Sequence, residues 1–377
     1  MRSAFSPKTL FVSILSLLFL LALAPSAFSF SQNSAIHVVT TVSAGPGPHY
    51  VVFDPSNKEM YVANDATTVT VVSGATNSVV ATVKVSSNNM YLPSEVYASS
   101  NKEIYVADYN SKYVYALDGT TNTRVATILV GNHPISLAYD SANGDVYVAN
   151  YGVNATSNTV SVISTASNTV VASVSVGDKP RSIVYDPVNR DVYTANWYSK
   201  SVSVISGKTN SVVATVVVGP YPHFVAYDPA NNAIDVLYGT GQTTLGVING
   251  NTNTLTAKVK AGPFADYMIY DPANRDLYIG SEGTSGNVTV VSSSTNKVVA
   301  SVYCGCDVRS LVYDPANKDV YASIGTGNTL FVINGATNKI IARIAVEQFP
   351  SYFAFDPANN DVYVAAYYSN VVYVISS

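Results

Sequence analysis

A block of four short strands recurs through almost the whole chain. Residues 178–219 show it plainly: the runs RSIVY, DVYTA, SVSVI and SVVATVVV are rich in Val, Ile and Tyr, and turn-formers separate them. Asp186-Pro187-Val188-Asn189 divides the first pair, and Gly207-Lys208-Thr209-Asn210 the last. β-Branched and aromatic runs bounded by Pro, Asn, Asp and Gly read as strands joined by tight turns. Proline presets φ for such a turn, and Asp and Asn side chains bond nearby backbone groups. The acidic landmark of the first turn, or its substitute, stands at Asp54, Ser99, Asp140, Asp186, Asp228, Asp271, Asp314 and Asp356. Successive landmarks lie 41 to 46 residues apart, which is the period of four-stranded propeller blades. Eight landmarks predict an all-β, eight-bladed propeller of four-stranded antiparallel blades. The second unit is degenerate, with Ala98-Ser99-Ser100-Asn101 in place of the Asp-Pro turn, and seven blades is the alternative count.

The two ends complete each other. IHVVTTVSAG at 36–45 matches NSVVATVVVG at 210–219, a fourth strand without its first three. Residues 350–377 supply first, second and third strands and no fourth. Joined, they make one blade. That predicts a closed ring rather than an open solenoid, which needs distinct caps.

Ahead of the repeats, Arg2 and Lys8 precede an apolar run from Leu10 to Ala24, and Ala27-Phe28-Ser29 offers small residues at a cleavage spacing. This reads as a signal peptide over 1–29, with a linker at 30–34 and a single propeller domain over 35–377. The expectation is a secreted or cell-surface protein, touching the membrane only through that segment if it stays uncleaved. Charged residues are 12% of the chain and the formal net charge is −4. Without a basic stripe, nucleic acid is not an expected partner. Cys304 and Cys306 are too close to staple a large loop and too few for a metal site, leaving a small disulfide or two idle thiols.

Val-Tyr-Val-Ala-Asn at 146–150, then Asn-Thr-Val-Ser-Val-Ile at 158–163 and Ser-Asn-Thr-Val-Val-Ala-Ser-Val-Ser-Val-Gly at 167–177, resemble the YVTN-type β-propeller repeat. The resemblance covers essentially all of 36–377. It implies a propeller of exported or surface-layer-like kind. Since only structural positions match, it carries over no catalytic residue.

In this strand order the Asp-Pro and Gly-x-Thr-Asn turns share one face and are nearly uniform. The other face holds the variable loops, where a rigid scaffold places function. Five residues before each landmark, at the start of the innermost strand, stand His49, Ser94, Ile135, Arg181, His223, Asp266, Arg309 and Ser351, with Glu95 and His133 beside them. Of these, His49, Arg181, His223, Asp266, Arg309, Glu95 and His133 are the ligand-binding candidates. The arginines suit an anion; His49 or His223 with Asp266 or Glu95 suits acid–base work. No metal site and no cofactor is expected. On the variable loops, Trp197, Tyr198, Tyr109, Tyr151 and Tyr367 suit sugar stacking or protein contact. Asn154 and Asn287 lie in glycosylation sequons. The function these features favour is a binding scaffold for extracellular proteins or glycans, acting through the loop face. The alternative is a lactonase-like hydrolase or a lyase with a His/Arg/Asp site at the channel mouth.

Overall fold

The structure is a computed structural model describing residues 36–65, 67–86, 91, 93–152, 158–283, 286–305 and 307–377. The proposed signal peptide and linker, Asn154 and Cys306 lie outside the described residues. Within them, the chain forms eight four-stranded antiparallel sheets. Seven sheets are consecutive meanders. The eighth joins Pro350–Asp356, Asp361–Ala366 and Val371–Ser376 to Val38–Ser43 from the other end of the ring. Val42 pairs with Val372 and Thr41 with Tyr373, so ring closure is by an antiparallel ladder. We number the blades 1 to 8 from the sheet that starts at Pro48, counting strands outward from the axis. Each first strand packs beside the first strands of both neighbouring blades, in an unbroken circle.

Burial follows the strand patterns. Second strands such as Asp145–Asn150 are buried on both faces, and fourth strands such as Ser211–Val217 are mostly exposed. That is why the second strands read as continuous apolar runs. In seven blades the third residue of the second strand is a buried Tyr. In six of them its hydroxyl reaches the next blade's Asn turn, as Tyr193 donates to Asn253 Oδ1 at 2.7 Å; Tyr321, facing the composite blade 8, instead accepts from Asn317 Nδ2 of its own blade. The turn Asn sits at positive φ, 53° for Asn253, a conformation Asn tolerates better than most residues. Blade 5 breaks this rule: Asp235 takes the Tyr position, fully buried, with Oδ2 unbonded. Burial, then the charge of Asp228, pushes its carboxyl well above the usual range.

The Asp-Pro turns reach across blades in the same way. A Cβ on Gly250 would lie 2.9 Å from Asp186 Oδ2, and one on Gly335 3.0 Å from Asp271 Oδ2. A side chain there must displace the neighbouring Asp or its turn, although blade 6 accommodates Ser293 at the equivalent position.

Pairing corrects the reading of blade 2. In blade 1 Asp54 faces Glu59, and in blade 2 Ala98 faces Glu103. Ala98, not Ser99, therefore occupies the landmark position. The first strand here is Ser94–Ala98, five residues against seven in the other blades. The shortening falls at its upper end, where the other blades carry an extra residue.

Candidate functional site

At the top of the first strand, regular pairing is interrupted. Pro48 faces Asn64 and Tyr50 faces Ala63, which leaves His49 unpaired between them. Ile135, Arg181, His223, Asp266 and Arg309 are skipped identically, and in blade 8 both Ser351 and Tyr352 are. A bulge of this kind re-aims a side chain, here toward the axis. Blade 2 has no such shift. Its missing residue is the bulge itself, so Ser94 is not the counterpart of His49. Ser94 instead matches Ser136 and Ser182: each serine accepts a backbone N–H from the next blade, at Leu137, Ile183 and Val225.

Two residues before each bulge the backbone turns left-handed. Gly47 does so at no steric cost, but His133, Lys179, Tyr221, Phe264, Asp307 and Phe349 do so too, with φ between 41° and 64°. For non-glycine residues this costs on the order of 1–3 kcal/mol each, and such strain clusters at binding sites. Their carbonyls anchor the facing loops. Trp197 N–H donates to Lys179 O at 2.9 Å, Glu282 N–H to Phe264 O at 2.8 Å and Tyr367 N–H to Phe349 O at 3.1 Å. Strained connection, bulge and loop thus build one rim.

The rim surrounds a cavity of about 400 Å³ on the axis. His49, Arg181, His223, Asp266 and Arg309 all line it, together with Glu282, Tyr91 and Phe349. Sequence reasoning missed Glu282 and Asp307. Both sit at repeated positions, Glu282 at that of Trp197 and Tyr367 and Asp307 at that of Lys179 and Phe349, but those positions hold no common residue type, and the anchored loops bring the two to Arg309. Two of the candidates do not line the cavity. Glu95 points into the blade 1–2 interface, where both carboxylate oxygens are buried and unbonded, and burial raises its pKa well above the usual range. His133 packs edge-on against Tyr109, centroids 4.8 Å apart, and burial, then Lys179, lowers its pKa.

One arc of the wall is charged. Arg181 Nη2 lies 3.3 Å from Asp266 Oδ1, and its guanidinium lies over the Trp197 ring at 4.8 Å. Arg309 bonds Asp307 Oδ2 through Nε and Glu282 Oε1 through Nη1, both at 2.9 Å, and lies over Phe349 at 5.1 Å. His223 places Nδ1 2.9 Å from Tyr221 O and Nε2 2.9 Å from Ala265 O, with Asp266 Oδ1 3.6 Å away. Both guanidiniums are therefore already matched by carboxylates. An incoming anion would compete with these for the same donors. Burial raises the Glu282 pKa, opposed by Arg309.

The opposite arc and part of the floor are aromatic. Tyr50 and Tyr352 stack with centroids 4.0 Å apart; Tyr352 meets Tyr267 at 5.8 Å, and Tyr267 meets Phe224 at 4.9 Å. Above them His49 touches Tyr352 at 5.1 Å and Tyr91 at 5.2 Å. Burial, then Arg309, lowers the His49 pKa to about 4, so its ring is neutral near pH 7.

Of the loop aromatics, Tyr198 is half exposed. Trp197, Tyr109, Tyr151 and Tyr367 are partly buried and engaged: Tyr151 lies under Lys179 Nζ at 4.5 Å, and Tyr367 donates to Asp65 Oδ2 at 2.7 Å. Asn287 is not on an exposed loop. It opens a strand, and Thr289 of its sequon is buried at 6% exposure, so a glycosyltransferase would have to unpair that strand. Cys304 is buried, and burial raises its thiol to about 12. Among the described residues no three His, Cys, Asp or Glu side chains gather to hold a metal ion.

No protein family matches the chain, and no curated protein matches it. Among solved structures, about 1800 chains match, so the architecture alone is no guide to activity. One is a chain of Kuenenia stuttgartiensis hydrazine synthase, with 16% identity and a TM-score of 0.62, covering 78% of this chain and 98% of that one. At that identity the likeness establishes the propeller fold.

Proposed function

We propose that this is an exported or cell-surface propeller of the YVTN type that binds a saccharide in its axial cavity, through the variable-loop face. The observation that carries the binding reading is the division of the cavity wall. One arc holds both donors and acceptors: Arg181, Asp266, Glu282 and Arg309. Opposite it stand His49 and Tyr91, and Tyr50, Phe224, Tyr267 and Tyr352 form an aromatic part of the floor. A sugar ring has an apolar C–H face and hydroxyls that both donate and accept, so it satisfies both arcs at once. The volume suits one small organic ligand. Export is supported by the basic start, apolar run and small residues of 1–29.

A glycan array followed by calorimetry tests the binding. Tyr50→Ala and Arg309→Ala each remove one side of the arrangement, and in the second the loss of a charge-assisted bond should weaken capture by about 10- to 100-fold. Capture unchanged in both variants, or none by the parent, refutes the reading. Fractionating cells that express the chain with and without residues 1–29 tests export. Hydrolase or lyase activity is a second reading, favoured by the raised Glu282 carboxyl in the same cavity as Asp266. Turnover of a lactone, ester and glycoside panel that vanishes in Glu282→Gln would establish it.

A further inference from the structure

We infer that the cavity reads the end of a saccharide chain and not an internal stretch, an inference that rests on the saccharide reading above. The floor decides this. The residue after each bulge lies one step deeper along its strand: Tyr50, Phe224, Tyr267 and Tyr352 in blades 1, 5, 6 and 8 and Ser136 and Ser182 in blades 3 and 4, all of them lining the cavity, and Ser310 in blade 7. Ring contacts run Phe224–Tyr267–Tyr352–Tyr50. That series joins blade 5 to blade 1, which face each other across an eightfold ring. Large side chains from one half, set against small ones from the other, close an axial channel without a clash. We take this aromatic floor to close the cavity below.

A polymer therefore cannot thread the axis. An internal segment would have to enter and leave by one mouth, past the Tyr91, Phe349 and Glu282 side chains that line the cavity. A chain lying flat over the rim meets Tyr221, Phe264 and Tyr368, all exposed, yet leaves His49 and Asp266 unread below. Only a terminal unit can touch aromatic floor and charged arc together.

The test compares intact polysaccharide with its own partial acid hydrolysate. Both compete, mass for mass, against a labelled oligosaccharide captured from the array. End recognition predicts that cutting the mean chain length tenfold raises inhibition per unit mass about tenfold, because the concentration of ends rises in proportion. Ile135→Trp, which fills the cavity from a bulge position, should cost more than about tenfold in affinity. Inhibition that tracks mass, or falls on hydrolysis, overturns end recognition while leaving saccharide binding intact. Undiminished binding by a folded Ile135→Trp protein overturns it as well. Failure of every saccharide to bind refutes the underlying reading and takes this inference with it.

Discussion

Replacing Ala98 by Asp gives blade 2 the turn residue that the other seven blades carry, and it should nevertheless destabilise the protein. The reason lies in blade 3. Where regular blades have a glycine against the neighbour's Asp, blade 3 has Thr165. Its hydroxyl meets Ser100 Oγ at 2.8 Å. Ala98 is fully buried. A new carboxylate there enters space that the neighbouring blade elsewhere leaves open with a glycine or, in blade 6, with the smaller Ser293. Gly119, opposite Asp54, shows the constraint: an added Cβ would overlap Asp54 Oδ2. Overpacking of this kind costs about 1–3 kcal/mol. Thr165→Gly alone should cost about 1 kcal/mol through its lost hydrogen bonds. Together the two changes recreate the arrangement of the regular blades. The introduced carboxylate would then cap its own turn, as Asp54 Oδ1 accepts from Ser56 N–H at 2.7 Å. The double variant should thus be more stable than the sum of the singles by about 1–3 kcal/mol. Urea unfolding of the four proteins measures this coupling. Additivity within about 0.5 kcal/mol would refute both the steric argument and the assignment of Ala98 to the landmark position.

Three further outcomes are expected. Because the folded state lowers the His49 pKa from 6.5 to about 4, the native protein binds fewer protons than the unfolded chain between those values. Stability should therefore rise with pH across that window, by at most about 3 kcal/mol, and His49→Gln should flatten the rise in thermal midpoints taken from pH 4 to 7. For Glu95 and Asp235 the sign is opposite: a raised pKa means that stability is lost as pH climbs above the unfolded carboxylate value. Glu95→Gln and Asp235→Asn should each raise the urea midpoint at pH 8 and leave it unchanged near pH 3; a lower midpoint at pH 8 would contradict the assignment. Deleting Ile36–Ala44 removes the strand that completes blade 8. Unfolding should then lose cooperativity and shift to lower denaturant, and a curve matching the parent's would show that the ladder does not close the ring.

The architecture was legible in the chain because its determinants are local. Turn residues, strand alternation and period depend on neighbours in sequence, and eight repeats state them eight times. Ring closure was legible for the same reason, since residues 36–45 carry the pattern of a fourth strand. The candidate site was legible in part. His49, Arg181, His223, Asp266 and Arg309 occupy one repeated position, so a shared address brought them together. What tertiary structure alone decided is register. Side chains alternate faces along a strand, so one absent bulge residue moves the landmark to Ala98 and removes blade 2 from the ring of aimed residues. Glu95 then belongs to an interface and not to the cavity. Glu282 and Asp307 join the site through backbone bonds between loops, and the floor arises from large and small residues in opposed halves of the circle. Each depends on which residues face one another across blades, a matter that pairing settles and composition does not.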